Sequence, residues 1–436
     1  MRLGKKILIA TIVASLAGLL FGYDTAVISG VEQRLKIFFE LSSLAHGFTN
    51  AIALIGTMLG AFCAYIPAEQ IGRKWSLVGV GFLFALSAIG CALANNWYFF
   101  LVYRFIGGVG VGAASVIAPM YISEISPAKH RGKLVALFQF SIVFGIFLAF
   151  ITNYFLKIIV TENAWRWMLG VEAIPAVLFL ILALFITKSP RWLVMKNREA
   201  EAARVINSFS IDNPDVMLSN IKQSLYKSGI KAKLFQKNFY RPIMLVFLMA
   251  MFNQFSGINA ILYYAPRIFE MSGIVEQSAF LQATTVGFVN MLFTIIAMTL
   301  IDKIGRKKLM FWGTLGMITS LIICAIFLHQ SRSGSGLLVI PILTFIASFA
   351  FSQGAVIWVF ISEIFPNNVR ASGQSFGTFV HWFWASVITW IFPMVASIEN
   401  GGSYAFIFFS IAMVGQLVFI ITIFPETKGR TLEQIS

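Results

Sequence analysis

The sequence predicts an all-α membrane protein of twelve transmembrane helices in two pseudo-symmetric six-helix halves, and three observations carry that prediction. Of its 436 residues 58% are hydrophobic and only 12% charged, a balance foreign to soluble chains of this length. The apolar residues gather into twelve runs, each near the roughly 20 residues a helix needs to cross about 30 Å of hydrocarbon. The chain also writes one passage twice. Ser123-Glu124-Ile125, Pro127 and Arg131 return as Ser362-Glu363-Ile364, Pro366 and Arg370, and Gly72-Arg73-Lys74 returns as Gly305-Arg306-Lys307. Matching charged loops at the ends of matching apolar runs indicate an internal repeat, and in a membrane chain such a repeat places a central site between the halves, as in transporters.

Taken in order, the first half holds runs at about 7–30, 46–67, 75–94, 98–122, 132–156 and 167–187. The second holds runs at about 243–271, 278–301, 309–329, 337–365, 371–396 and 403–424. The first run follows Arg2, Lys5 and Lys6 as a signal peptide would. It is too long for one, carries Asp24 and lacks a small-residue cleavage site, so it reads as a retained span. Residues 188–241 form the one true linker, with 11 basic residues. The amphipathic stretches Ala200–Phe209 and Val216–Leu225 predict short interfacial helices there, because the segment is too small to bury a core alone. The expected organisation is therefore 1–187, a cytoplasmic linker at 188–241, and 242–436. With both termini inside, 26 Lys and Arg fall on the cytoplasmic side and 6 on the outer side. That bias fixes both termini in the cytoplasm.

Ionisable groups within spans are expensive and usually functional. Four stand out: Asp24, Arg104, Glu172 and His381. At 1.5 Å per residue the first three lie in one layer, roughly 8–9 Å below the outer edge. An Asp24–Arg104 pair there would lower the burial cost of both. Such a pair is either a static bridge or, as preferred here, a carboxylate that a proton neutralises during transport. His381 lies near the midplane of span 11. Its polar companions are Asn253 and Gln254 on span 7, Asn290 on span 8 and Gln139 on span 5. Uncharged amides both donate and accept, which suits a neutral hydroxylated ligand. Trp358 and Trp382 add flat apolar faces. Helix–helix hydrogen bonding explains one or two such amides, but poorly explains a convergent set. Gly257 interrupts span 7 between Gln254 and Asn259, where unwound backbone can line a cavity. Tyr263 and Tyr264 follow on the outer half, positioned to close that cavity from outside.

Other readings are set aside. The net charge of +15 does not point to nucleic acid, because the charges sit in short breaks without a basic groove. Gly108-Val-Gly110-Val-Gly112 imitates a dinucleotide loop, yet no strand precedes it, and close helix packing is the better reading. Lys129 and His130 beside Arg131 read as a loop clamp rather than a phosphate site. Cys63, Cys91 and Cys324 lie within apolar runs and are expected to be buried small residues, not a disulfide or metal set.

At this level of detail the chain resembles a sugar porter of the major facilitator superfamily over essentially its whole length. The resemblance rests on Gly22-Tyr23-Asp24 with Ser29-Gly30, and on Tyr103-Arg104 with the glycines after it. It extends through Pro119-Met120-Tyr121, Ser123-Glu124, Arg131-Gly132 and Pro190-Arg191-Trp192-Leu193. In the second half it rests on Gln254-Phe255-Ser256-Gly257-Ile258-Asn259, Tyr263-Tyr264-Ala265-Pro266 and Asp302 with Gly305-Arg306-Lys307. The closing Pro425-Glu426-Thr427-Lys428-Gly429 is the most distinctive match. The resemblance implies the major facilitator fold and sugar contacts from Gln139, Gln254, Asn259, Asn290, Trp358 and Trp382. It also implies a cytoplasmic latch of Glu124, Arg131, Glu363 and Arg370 with Arg73, Arg306 and Asp302. Asn253 stands where a second Gln is usual, and His381 where Gln or Asn is frequent. Tyr65 and Glu69 replace a glycine and an aspartate of the span 2–3 loop motif. Lys188 replaces the glutamate before Ser189-Pro190-Arg191.

The expected function is proton-coupled import of a monosaccharide by alternating access. A facilitative uniporter is the alternative, although the resembling uniporters carry Asn where this chain has Asp24. A membrane sugar sensor is a remote third, usually marked by a long cytoplasmic tail, whereas about ten residues follow span 12 here. No catalytic cluster is visible, so neither an enzyme activity nor a cofactor is expected. The expected partners are a small neutral sugar, protons and the lipid bilayer, with the protein acting as a monomer. The lack of any Asn-x-Ser/Thr acceptor and the short outer loops fit a bacterial inner membrane.

Overall fold

In the computed structural model twelve helices among the described residues are long and apolar enough to cross a membrane. Spans 1 to 6 are Lys5–Gly30, Ser43–Gln70, Arg73–Leu93, Trp97–Ile125, Arg131–Ile159 and Ala164–Ala183. Spans 7 to 12 are Lys237–Tyr263, Glu276–Ile304, Arg306–His329, Val339–Glu363, Ser372–Ala396 and Gly401–Thr422. The structure describes residues 4–127, 130–209, 214–226, 233–329, 337–366 and 369–428. Arg2, Lys129, Arg332 and Gly429 lie outside them. Every regular element among the described residues is helical. Bulky apolar side chains such as Phe62, Phe82, Phe288, Ile322 and Ile411 point outward. Water would penalise that surface, whereas hydrocarbon accepts it. The protein is therefore a multi-pass membrane protein.

Glycines set how closely the helices approach. A Cβ on Gly22 of span 1 would lie 1.9 Å from the Ile142 carbonyl oxygen of span 5, and one on Gly145 would lie 2.1 Å from that of Leu19. Gly108 and Gly112 of span 4 face span 2 in the same way, at 1.9 Å from Ala53 and 2.1 Å from Thr57. The glycine-rich stretch of span 4 is thus a helix-packing surface. The two halves touch through span 2 against span 11 and span 5 against span 8. Gly47 approaches the Trp390 carbonyl, and Gly287 approaches Phe147 and Phe150.

The repeat extends to backbone shape. Gly72 and Gly305 both adopt positive φ, 88° and 96°, which a side chain would resist. Each opens the helix that carries the following Arg-Lys. An even number of spans places the start of span 1, the linker and the end of span 12 on one side, the linker face. The other side is the distal face.

Three spans depart from straight helices, each for a local reason. Span 7 breaks at Gly257, whose φ is 86°. The chain breaks again at Tyr264, after which Ala265–Met271 forms a separate turn with Pro266 in its first positions, where a missing N–H costs nothing. The continuous span expected to 271 is therefore three pieces. Span 6 ends at Ala183 rather than 187, and Pro175 loosens it next to Glu172 by removing one helical donor. Span 10 bends at Ser352, with φ −118° and ψ −88°. The linker holds helices Pro190–Met195, Glu199–Ser208 and Pro214–Tyr226, two of them over the amphipathic stretches of the sequence. Cys91 and Cys324 are buried as expected, but Cys63 is exposed. It occupies the outward side of span 2, so apolar surroundings in sequence meant lipid-facing surface rather than core.

Candidate functional site

Span 1 and span 4 lie side by side, and their two charges meet. Arg104 Nη1 donates to Asp24 Oδ1 at 2.6 Å, with 1% and 4% of the respective side chains exposed. Glu172 on span 6 is buried within electrostatic reach of both, and its Oε1 has no hydrogen-bond partner. The layer expected from depth arithmetic is thus one buried cluster of two acids and one guanidinium. In a pair buried this deeply, a charge left without any counter-charge in low dielectric would cost about 3–5 kcal/mol.

The break at Gly257 turns the polar residues of span 7 toward one another. Gln254 is their centre. Its Oε1 accepts from Asn259 Nδ2 at 2.6 Å, and its Nε2 donates to Asn253 Oδ1 at 3.0 Å. The same Nε2 lies 3.2 Å from His381 Nε2, which joins span 7 to span 11. The His381 ring sits 4.8 Å from Trp358 and 4.9 Å from Trp382. Phe21 of the other half lies 5.7 Å from Trp382, so the cluster borders the seam. Asn253 Nδ2 and Trp382 Nε1 are buried donors without partners, a donor set that suits hydroxyl oxygens. Asn290 is buried on span 8 and Gln139 half-buried on span 5. Neither bonds to the span 7 cluster, so the structure brings together six of the eight expected sugar-contact residues. The clefts of about 550 and 540 Å³ on the outer surface of spans 7 to 11 include none of these residues.

The distal face is sealed. Tyr264 OH donates to the Thr389 carbonyl at 2.9 Å and accepts from Asn50 Nδ2 at 2.9 Å, tying the two halves. Trp390 Nε1 donates to the Leu44 carbonyl, Gln33 Nε2 to Glu270, and Lys157 Nζ to Glu276. Tyr263 is buried beside them and within electrostatic reach of Arg104. Sequence reasoning missed part of this seal. Glu32 and His46 are 1% and 0% exposed and touch at 2.6 Å. Run boundaries at 30 and 46 had put both at the water's edge.

On the linker face the charges stay within their own halves. Arg73 binds Glu124 through Nε at 2.9 Å and Nη2 at 2.7 Å, and Ser189 Oγ donates to the same carboxylate at 2.6 Å. The repeat reproduces this arrangement. Arg306 Nη2 donates to Glu363 at 2.9 Å and Thr427 Oγ1 at 2.6 Å, while Asp302 lies 3.0 Å from Arg306. Arg131 Nε reaches the Ser123 carbonyl and Arg370 Nε that of Phe365. Among the described residues none of these charges reaches across to the other half in this arrangement, and every described polar bond that joins the halves lies toward the distal face. Lys188, in place of the usual glutamate, pairs with Glu201 of the linker and holds that carboxyl below the ordinary glutamate range.

Comparison with known proteins gives a consistent picture. The family model described as "Sugar (and other) transporter" matches residues 10–436. The D-xylose-proton symporter of Escherichia coli (strain K12) is 36% identical over 467 residues, covering 98% of this chain and 94% of the relative. The arabinose-proton symporter of Bacillus subtilis (strain 168) is 35% identical over 443 residues, with coverage of 98% and 94%. Among solved structures, the inward open conformation of the xylose transporter XylE from E. coli matches with a TM-score of 0.87 and 34% identity, covering 98% of this chain and 99% of that one. The proton:xylose symporter XylE bound to 6-bromo-6-deoxy-D-glucose matches with a TM-score of 0.81 and 34% identity, covering 99% and 98%.

Proposed function

This chain belongs to the sugar transporter family of the major facilitator superfamily, and from that premise we propose that it imports a neutral monosaccharide, a hexose or a pentose, together with protons. The observation that carries the reading is the buried Asp24–Arg104 pair, next to a third buried acid and close to the seam bordered by the amide and indole cluster. Residues 1–187 and 242–436 act as two bodies that rock about the seam, joined by 188–241. The excess of basic residues supports a cytoplasmic linker face, in a bacterial inner membrane. The protein works as a monomer in lipid, without enzymatic chemistry.

In the cycle, sugar and proton enter from the distal side. A proton on Asp24 removes the charge that Arg104 balances, and the guanidinium turns toward Glu172, whose Oε1 is without a partner. Gln139, Asn253, Gln254, Asn259, Asn290 and His381 bind sugar hydroxyls, while Trp358 and Trp382 lie against its C–H faces. Tyr263 and Tyr264 then shut the distal side. Arg73, Glu124, Arg131, Asp302, Arg306, Glu363 and Arg370 govern the linker face, which the inward open relative and the distal seal suggest is the open one here. Uptake of a panel of labelled sugars into liposomes, with an imposed pH gradient and with a protonophore, tests the reading. Accumulation that collapses with the protonophore is expected. Equilibration unaffected by it would assign a uniporter instead.

The paired glutamates carry a separate expectation. Glu124→Gln combined with Glu363→Gln removes the acceptor charge that fixes Arg73 and Arg306 in each half. The pairs are largely buried, Arg73–Glu124 at 6% and 7% exposure and Arg306–Glu363 at 8% and 29%, so losing both carboxylate charges weighs on a finely balanced equilibrium more than losing surface pairs would. Spin-label distances across the linker face should shift toward the open population, transport should slow, and sugar binding should survive. An unchanged distance distribution would reduce these charges to topology signals.

A further inference from the structure

Glu32 stands just after span 1 and His46 near the start of span 2, both in one half, while Arg267 comes from the other half. Glu32 Oε2 lies 2.6 Å from His46 Nε2 and 4.0 Å from Arg267 Nη1. Apart from that close contact neither Glu32 oxygen has a hydrogen-bond partner, and Arg267 Nη1 has none. A nitrogen–oxygen contact of 2.6 Å requires one proton between the two atoms, and with Glu32 ionised opposite the Arg267 guanidinium that proton is on Nε2. His46 Nδ1 has no partner, so the imidazole can hold one proton or two without disturbing that contact. The remaining titratable groups facing Glu32 are Tyr264 and, further out, Glu270. Asn50 lies 3.4 Å from His46 Nε2 and also binds Tyr264. The cluster is therefore wired into the same seal as the tyrosine gate.

Charge balance then gives the cluster a task. While the distal face is closed, the Glu32 carboxylate is balanced by Arg267, and a second buried cation at His46 would be uncompensated. When the halves part on this side, Arg267 leaves with its own half. Glu32 remains with His46 alone, and water reaches Nδ1. We propose that Glu32 and His46 form a second proton-binding site, distinct from Asp24, that takes up one proton at His46 Nδ1 as the distal gate opens and gives it back as Arg267 returns. Acidity on the distal side then favours the conformation that admits sugar and proton. This inference rests on the transport reading only for its direction of use, because the linkage itself is conformational.

The test measures the gate directly. Spin labels on cysteines introduced at the exposed positions Ile37 and Val275, with Cys63, Cys91 and Cys324 replaced by alanine, report the distal distance without any need for sugar. All measurements use the Asp24→Asn chain, which removes the other titrating site. The ratio of open to closed populations should rise as pH falls, by up to about tenfold per pH unit for one linked proton. His46→Gln should flatten that dependence. Arg267→Gln should flatten it too, since His46 would then balance Glu32 in both conformations. These two variants come from opposite halves, and a merely structural role would not erase the same slope in each. A slope that persists in either variant, or that is already absent with Asp24→Asn alone, would overturn the proposal. Labelled-sugar exchange in the same liposomes checks the transport reading separately.

Discussion

Asp24→Asn is expected to abolish uphill accumulation of sugar while sparing exchange of sugar across the membrane. The replacement keeps the shape and one acceptor oxygen for Arg104 Nη1, which now sits 2.6 Å from Oδ1. It removes the charge a proton would neutralise, so the chain is fixed in the equivalent of its protonated form. Arg104 does not become stranded, because Glu172 remains in reach. The driving force lost is large. A potential of 100 mV contributes about 2.3 kcal/mol per charge moved, which for one proton per sugar corresponds to about 50-fold accumulation. The variant should equilibrate sugar at a ratio near one while exchanging labelled for unlabelled sugar at a rate similar to the parent. Undiminished accumulation under a pH gradient would remove Asp24 from the coupling step.

Gln254→Ala is expected to weaken sugar binding more than any other single amide change. Its side chain holds three neighbours at once, Asn253, Asn259 and His381. Truncation therefore loses one contact to the ligand and also releases the groups that present the others. One lost hydrogen bond with an unpaired partner costs about 1–3 kcal/mol, or about 5- to 150-fold in affinity. Gln139→Ala lies at the lower end, since Gln139 braces nothing in the cluster. Trp358→Ala should match Gln254→Ala through the lost ring face beside His381. Calorimetric titration of purified variants decides the matter, with thermal unfolding of the unliganded protein as a control for folding. Wild-type affinity in all three would place the sugar elsewhere.

The spans, the repeat and the Asp24–Arg104 layer were legible because hydropathy and depth are written residue by residue. The break at Gly257 was legible because glycine marks it. Burial that depends on tertiary folding was not. Glu32 begins the helix Glu32–Phe38 that tucks under the distal seal, and no run length reveals that. Gln353 and Gln416 bond at 2.6 Å in the core of the second half, although each reads alone as a polar residue in an apolar run. The separation of Glu124 from Glu363 belongs to one position of the cycle, and a sequence specifies all positions at once.

The mirrored triads, Arg73–Glu124–Ser189 and Arg306–Glu363–Thr427, carry a mechanical implication. Each carboxylate is saturated by donors from its own side of the seam or from the segment that leaves it. Neither set crosses the seam in this arrangement, so each half is braced within itself at its linker end, like a stiff jaw. Between the jaws the closest approaches fall on small residues, where Gly47 meets Trp390 and Gly287 meets Phe147. A machine built this way concentrates wear, in the sense of mutational sensitivity, along a thin line of small residues and leaves the bulk of each jaw free to vary.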